Sequence, residues 1–199
     1  MSSDGVNEGR RRFLIGATSA VGAVGVVGAA VPFVQSWNPS AKAKTAGAPV
    51  VADISKLEIG QRMTVEWRGQ PVFVVRRSKE AMAGLKKDES MLRDPMSDES
   101  KQPPYCKNEY RSRSSHSDIL VMVGICTHLG CVPLYRPEVG ASDLGSDWPG
   151  GFFCPCHGSK YDLSGRVFKG VPAPLNMVIP PYYYISDALI KIGADGEKA

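Results

Sequence analysis

CTHLGC at residues 126–131 and CPCHGSKY at residues 154–161 decide how this chain folds and what it binds. We call these stretches the first box and the second box. Each box places one His and two Cys within a few residues, and thiolate and imidazole groups suit iron–sulfur clusters and zinc. Gly130 and Gly158 stand where a loop must fold closely around a metal, and glycine tolerates the dihedral angles required there. The two boxes therefore predict a metal centre with sulfur and nitrogen ligands.

The identity of the metal is open at this level. Two Cys and two His can hold a tetrahedral structural zinc ion, and the ligand spacing alone permits this alternative. Each box, however, contains one Cys more than a four-ligand zinc site uses. A 2Fe–2S centre with two thiolates on one iron and two imidazoles on the other also fits the residues, and such centres have higher reduction potentials than all-thiolate centres.

The composition is typical of a folded domain with an appendage. The chain has 199 residues, of which 43% are hydrophobic and 22% charged, so it is globular rather than disordered. Its net charge is only +4, and the basic residues are scattered apart from Arg10, Arg11 and Arg12. The sequence shows no basic patch of the kind that binds nucleic acid, and we expect no nucleic acid partner.

The N-terminal region predicts a membrane anchor. Its most apolar stretch, residues 13–34, contains 22 residues, which form a helix about 33 Å long, enough to span a hydrocarbon core of roughly 30 Å. We place the transmembrane helix at residues 13–37. Because Arg10–Arg12 precede it, residues 1–12 stay in the cytoplasm, and the remaining chain lies on the periplasmic side of the inner membrane. The arginines also resemble a twin-arginine export signal.

A cleaved signal peptide is the alternative to a retained anchor. Ala41-Lys42-Ala43 has the small-x-small pattern of a cleavage site. The apolar run, however, is longer than the usual signal-peptide core of about 7–15 residues. We therefore favour a single-pass anchor that remains in the mature protein.

The rest of the chain divides into a tether and a β domain. Residues 38–49 are rich in Ala, Gly, Pro and Lys without a helical or strand period, and they predict a flexible tether. Residues 50–199 contain short apolar runs between turn residues, which predict an all-β domain. The predicted elements are a hairpin at 63–75, a short helix at 78–83, a loop excursion at 90–117, a buried strand at 119–125 and a closing hairpin at 182–192.

The boxes, of the form C-T-H-x-G-C and C-P-C-H-G-S-x-Y, resemble those of the Rieske iron–sulfur subunits of ubiquinol–cytochrome c reductase, the cytochrome bc complex, of bacterial type. The resemblance covers essentially the whole chain, including the anchor and the tether. Other matching stretches are WRGQPVFV at 67–74, LRDP at 92–95, GRVFKG at 165–170 and PAPLN at 172–176. The chain departs from the family pattern at Val171, which intrudes between Gly170 and Pro172 where many members have Gly followed directly by Pro, and in an expanded segment at 136–151.

The resemblance implies a ligand set for one Rieske-type 2Fe–2S cluster. Cys126 and Cys154 would ligate one iron, and His128 and His157 the other. The implied fold is an all-β Rieske domain of small antiparallel sheets in a sandwich, with a cluster-binding subdomain at its tip.

The resemblance also assigns the other polar residues of the boxes. A disulfide would join Cys131 to Cys156. The hydroxyls of Ser159 and Tyr161 would donate hydrogen bonds to a bridging sulfide and to a Cys ligand. Such bonds raise the reduction potential, so we expect a value in the upper half of the range of about −150 to +300 mV. Cys106 receives no role.

The implied function is electron transfer within the cytochrome bc complex. The cluster would accept an electron from ubiquinol at cytochrome b, with proton release, and pass it to a cytochrome c1-type haem. His157, together with His128, would face the quinol, and the complex would be dimeric. The alternatives are a Rieske subunit of another exported oxidoreductase, such as an arsenite oxidase, and a structural zinc-binding module.

Overall fold

The computed structural model describes residue 5 and residues 7–196, so residues 1–4 and 6 of the predicted cytoplasmic segment, and 197–199 of the β domain, lie outside the described part. The chain divides into two compact units, one up to Thr45 and one from Ala46 onwards.

The first unit is built on helix α1, Glu8–Gln35. Asn7 caps this helix, because its side chain accepts a 3.1 Å hydrogen bond from the backbone N–H of Arg10. By length and composition α1 can cross a membrane, and none of its side chains is buried within the chain. It begins five residues before the predicted anchor, since the cap and the helix-forming arginines extend it, so Arg10–Arg12 lie within the helix.

A short helix, α2, occupies Ala41–Ala46 within the predicted tether. The Ser40 hydroxyl accepts a 3.2 Å hydrogen bond from the N–H of Ala43 at its first turn. Ala and Lys favour helix even where no apolar face is present, which is why hydrophobic periodicity did not predict this turn. The flexibility of residues 38–49 stays a prediction.

The predicted first hairpin is confirmed. Strands β2, Arg62–Trp67, and β3, Gln70–Arg76, pair in antiparallel register. Their turn has φ of 53° at Arg68 and 70° at Gly69, the two positive values that a tight type I′ hairpin turn requires. Strand β4, Ile119–Val123, pairs with the other edge of β3 and is buried along its whole length.

A second sheet closes the domain. Its strands are β1, Val50–Asp53, then β8, Tyr182–Ser186, and β9, Leu189–Ile192, in the order β1–β9–β8. This confirms the predicted closing hairpin, with an irregular register between Tyr184 and Ser186. The two sheets, which we call the core sheets, contribute to one hydrophobic cluster.

The third sheet carries the boxes. Strands β5, Leu134–Arg136, β6, Gly151–Cys154, and β7, Ser159–Tyr161, form an antiparallel sheet in that order. We call residues 124–161 the box subdomain. These strands are three or four residues long, too short for a periodic signal, and the sequence did not locate β5, β6 or β7. All pairing among the described strands is antiparallel, which confirms the predicted fold class.

The connection between β3 and β4 is more buried than its sequence suggests. It begins with the predicted helix, now α3 at Lys79–Gly84, capped by the Ser78 side chain. Residues 90–117 contain no strand and two single helical turns, and a third turn at Glu89–Met91 overlaps their start, as expected for a loop excursion. Five polar side chains of this segment are nevertheless buried, which its polar sequence did not indicate: Asp94, Ser97, Ser100, Arg111 and Ser112.

Candidate metal centre

The two boxes fold into matching loops. In the first box the N–H of Gly130 donates to the carbonyl of Cys126 at 3.1 Å, and in the second Gly158 donates to Cys154 at 2.9 Å. Both glycines have positive φ, 86° at Gly130 and 76° at Gly158, a conformation that L side chains rarely adopt. Each box therefore presents its first Cys and its His from the same kind of turn.

The four cysteines of the boxes separate into two pairs. Cys131 and Cys156 form a disulfide across 25 residues, as predicted. The sulfur of Cys154 lies within 4.8 Å of both, but the disulfide sulfurs are not available as thiolate ligands. Cys126 and Cys154 are free and almost fully buried, with 2% and 1% of their surface exposed. The boxes thus offer two buried thiols for a metal.

The environment of Cys154 disfavours its thiolate form. Burial is the main factor that raises the pKa of Cys154, and the neighbouring Cys126 raises it further. The N–H groups of Cys156 and His157 act in the opposite direction. A coordinated metal deprotonates such a thiol, so the donor set fits a metal centre.

The two predicted imidazoles, one from each box, lie next to each other. The rings of His128 and His157 have centroids 4.8 Å apart and are nearly perpendicular, at 89°. The Nδ1 atom of His128 is buried and has no hydrogen-bond partner in the described structure. A buried ring nitrogen without a partner is costly unless it binds something, and a metal ion would satisfy it. His157 is exposed, so its ring can reach another molecule.

Tyr161 contacts the first box through its hydroxyl. The phenol oxygen lies 3.2 Å from the sulfur of Cys126 and accepts a 3.1 Å hydrogen bond from the N–H of Thr127. Burial raises the pKa of Tyr161 well above its usual value, so the phenol keeps its hydrogen. That hydrogen is available for donation to Cys126.

Ser159 is buried in the second box. Its hydroxyl oxygen accepts a 3.1 Å hydrogen bond from the N–H of Ala173. Because the hydroxyl acts as acceptor there, its own hydrogen remains for a second partner.

The segment 171–176, which we call the proline loop, lies against both boxes. Ala173 binds Ser159 of the second box, and the carbonyl of Leu175 accepts a 2.6 Å hydrogen bond from the Thr127 hydroxyl of the first box. Arg93 reaches the carbonyls of Val171 and Pro174 at 3.3 and 3.4 Å. The additional Val171 is therefore accommodated in a fixed loop. Sequence reasoning missed Thr127, although its place within the first box was the available signal.

Two titratable residues outside the boxes do not belong to the centre. Cys106 is buried in the hydrophobic core, with its sulfur 3.7 Å from the Tyr182 hydroxyl. His116 stacks on Tyr184 with ring centroids 3.9 Å apart and approaches Asp187 at 3.4 Å. Both contacts are made to β8 or to the turn that follows it.

Comparison with known proteins gives consistent matches along the chain. Residues 1–40 match the family model described as "Ubiquitinol-cytochrome C reductase Fe-S subunit TAT signal", and residues 107–182 match the "Rieske [2Fe-2S] domain" model.

Curated relatives match over nearly their full length. The ubiquinol–cytochrome c reductase iron–sulfur subunit of Allochromatium vinosum is 60% identical over 195 residues, covering 98% of this chain and 93% of the relative. The subunit of the same name from Rhodospirillum rubrum is 46% identical, covering 96% of each chain. Among solved structures, a chain of a hyperthermophilic respiratory complex III is 28% identical, with a TM-score of 0.47, and covers 87% of this chain and 96% of that one.

Proposed function

Because this chain belongs to the family of ubiquinol–cytochrome c reductase iron–sulfur subunits, we propose that it carries electrons from ubiquinol at cytochrome b to a cytochrome c1-type haem. The chain carries a Rieske 2Fe–2S cluster and is a subunit of an oxidoreductase. When bound, the cluster supplies a one-electron acceptor of high potential.

The proposed ligands are Cys126 and Cys154 on one iron and His128 and His157 on the other. The observations that carry this assignment are two buried free thiols that interact with each other and two perpendicular imidazoles, each pair drawn from the two matching loops. The buried, unpartnered Nδ1 of His128 supports it further. The disulfide between Cys131 and Cys156 joins the two loops covalently, which keeps the ligands together.

The exposed ring of His157 is the proposed quinol contact. A ligating imidazole has a second ring nitrogen, and on His157 that nitrogen can reach solvent or a bound molecule. A quinol hydroxyl hydrogen-bonded to it would transfer its proton to this nitrogen as the electron leaves. His128 is half-buried, so it contributes less of its surface to such a contact.

The N-terminal unit places this chemistry at a membrane. The twin-arginine signal match and helix α1 fit a membrane-anchored subunit. We propose that the domain from Val50 onwards lies on the periplasmic side, within a dimeric complex. Residues 38–49 would act as the tether that allows it to meet cytochrome b and the haem protein in turn.

Electron paramagnetic resonance of the reduced full-length protein tests the function. We expect a Rieske-type signal, formed on addition of ubiquinol, and co-purification with a cytochrome b. The matched variants are Cys154→Ser, which should abolish the signal, and Cys106→Ser, which should retain it. Zinc in place of iron, or no signal in iron-replete protein, would refute the proposal. A Rieske signal without cytochrome b would indicate a different exported oxidoreductase.

A further inference from the structure

The peptide group between Leu175 and Asn176 is held from both sides. Its carbonyl accepts the 2.6 Å hydrogen bond from the Thr127 hydroxyl, and its N–H donates to the hydroxyl oxygen of Ser100 at 3.0 Å. Ser100 lies in the buried part of the segment 90–117, and it is 76 residues from Asn176 in sequence. One peptide group therefore connects this segment to the first box.

A carboxylate stands at the far end of this connection. The Ser100 hydroxyl donates to Asp94 at 2.7 Å, and Asp94 is 7% exposed. The Asp94 side chain also accepts hydrogen bonds from the N–H groups of Asp98, at 2.7 Å, and Glu99, at 3.2 Å. With the carboxylate fixed as acceptor, every hydrogen from Thr127 to Ser100 points towards Asp94. Bonds aligned in one direction polarise and strengthen one another.

The other end of the connection is the sulfur of a proposed iron ligand. Tyr161 has one hydroxyl hydrogen and two neighbouring acceptors at 3.2 Å, the Cys126 sulfur and the Thr127 hydroxyl oxygen. A separation of 3.2 Å is long for a hydrogen bond between two oxygens, whose usual distance is about 2.7–2.8 Å. The Thr127 oxygen is held back by its short bond to Leu175, which leaves the Tyr161 hydrogen for the sulfur.

We propose that Asp94 and Ser100 are positioning residues for the iron–sulfur centre, acting through the Leu175–Asn176 peptide and Thr127 to direct the Tyr161 hydroxyl to Cys126. We call this chain of hydrogen bonds the Asp94 relay. If the relay is broken, the Leu175 carbonyl loses its fixed orientation, and the Thr127 oxygen is free to approach Tyr161 and take its hydrogen. The sulfur then loses a donor, and the reduced centre is less stabilised. This inference rests on the proposed function, since it assigns Cys126 as a ligand.

The chain offers a matched control in Ser97. Ser97 is buried in the same segment, with 2% of its surface exposed, against 9% for Ser100. Its hydroxyl accepts a 2.8 Å hydrogen bond from the side-chain amide of Asn176 rather than from the peptide group. Ser97→Ala therefore removes an equivalent buried hydrogen bond to the same residue while leaving the relay complete.

The experiment measures the midpoint potential of the full-length protein by redox titration followed by electron paramagnetic resonance. Ser100→Ala should lower the midpoint potential, because the equilibrium constant for reduction of the centre should fall roughly three- to tenfold. A tenfold fall corresponds to about 59 mV for one electron. Ser97→Ala should leave the potential unchanged, although both variants lower the unfolding midpoint. In a Tyr161→Phe background, Ser100→Ala should have no further effect on the potential.

Three results would overturn the relay: no fall in Ser100→Ala, an equal fall in Ser97→Ala, or a fall of the same size when Tyr161 is absent. If Ser100→Ala does not assemble the centre, Ser100→Cys weakens the same two bonds with less loss of shape, and it should give a smaller fall that also requires Tyr161. A Rieske-type signal in the wild type tests the proposed function separately, so failure of the relay alone is recognisable.

Discussion

β3 and β4 of the core sheets have nearly continuous runs of buried apolar residues, whereas the strands of the box subdomain have only three or four residues and place Ser159 in their interior. The core sheets are stabilised mainly by apolar burial, which depends on no bound group. The box subdomain contributes Phe152 and Tyr161 to the same hydrophobic cluster, and it adds a disulfide, directional hydrogen bonds and the proposed metal ligands. The two regions therefore share one core and differ in the polar and covalent contacts added to it.

The two regions meet at a small aromatic contact. Phe73 of β3 lies 6.0 Å from Phe152 of β6, ring centroid to ring centroid, and Tyr135 of β5 lies 5.3 Å from Phe152. A side chain at Gly124, the residue after β4, would come within 2.6 Å of the Phe73 ring. The tyrosine hydroxyl adds a 2.9 Å hydrogen bond from the box subdomain to the carbonyl of Gly60. The loops are thus supported by the core at a few defined points.

Truncation of the shared contact should have the largest effect on stability. Phe73→Ala removes a side chain that is 1% exposed, and we expect a loss of about 3–5 kcal/mol in the free energy of unfolding. Chemical denaturation followed by circular dichroism measures this loss. Ile59→Ala, at a side chain that is 70% exposed, is the control and should change stability by under about 0.5 kcal/mol. Equal effects of the two variants would show that the contact does not support the fold.

Removal of the disulfide should act on the box subdomain first. The chain-entropy model gives a loss of roughly 3–4 kcal/mol for the double variant Cys131→Ser, Cys156→Ser. During thermal unfolding the iron–sulfur absorbance should disappear before the circular dichroism signal of the core sheets. Cys106→Ser controls for the loss of a thiol that forms no disulfide. Simultaneous loss of both signals at the wild-type temperature would contradict the separation of the two regions.

Tyr161→Phe should change the chemistry more than the stability. Loss of one hydroxyl donor to Cys126 should destabilise the reduced centre by about 1 kcal/mol. For one electron this lowers the midpoint potential by roughly 40 mV. The resonance signal should remain of Rieske type, because no proposed ligand is changed. Tyr183→Phe, in β8 of the core sheets, is the control and should leave the potential unaltered. An unchanged potential in Tyr161→Phe would mean that the hydroxyl does not donate to the sulfur.

The smallest expected effect is an alkaline one that involves Tyr105. Burial is the main factor that raises the pKa of Tyr105 to about 12, and its hydroxyl donates to Asp195 at 2.9 Å. The unfolded chain ionises at its usual pKa of about 10, so the stabilisation is complete below pH 10 and is lost as pH rises to about 12.

Urea unfolding at pH 8 and pH 11 measures this dependence. The decrease in unfolding free energy between the two pH values should be smaller in Tyr105→Phe than in the wild type. Tyr135→Phe provides the comparison in the box subdomain, because burial also raises the pKa of Tyr135 to about 12. A decrease that both variants leave unchanged would assign the alkaline sensitivity to other groups.

The sequence predicted those parts of the fold that have a local signal. The first hairpin follows from two apolar runs around Arg68-Gly69, and helix α3 from the cap at Ser78, because turn and cap geometry depend on neighbouring residues. Strands β1, β5, β6 and β7 had no such signal. The start of α1 at Glu8 was missed since hydrophobicity, which located the anchor, does not report the cap at Asn7.

The candidate centre divides in the same way. Residue types and spacing in the two boxes predicted a metal site with sulfur and nitrogen ligands, because ligand chemistry is a property of the side chains themselves, and the family resemblance favoured an iron–sulfur cluster over zinc. That the Nδ1 atom of His128 is buried without a partner, while His157 is exposed, required the folded chain. The exposure of a side chain depends on which distant loops cover it, and the residues of a single box do not determine those loops.

By itself, then, the sequence determined the two ligand boxes, the apolar anchor and the strands with a clear period, because each depends on a pattern of neighbouring residues. The tertiary structure alone decided that polar residues of the segment 90–117 are buried and that Ser100 binds the peptide group before Asn176. That contact joins loops 76 residues apart without any shared period. It forms only when the core sheets have brought both loops to the same place, because a hydrogen bond is set by distance and direction in space.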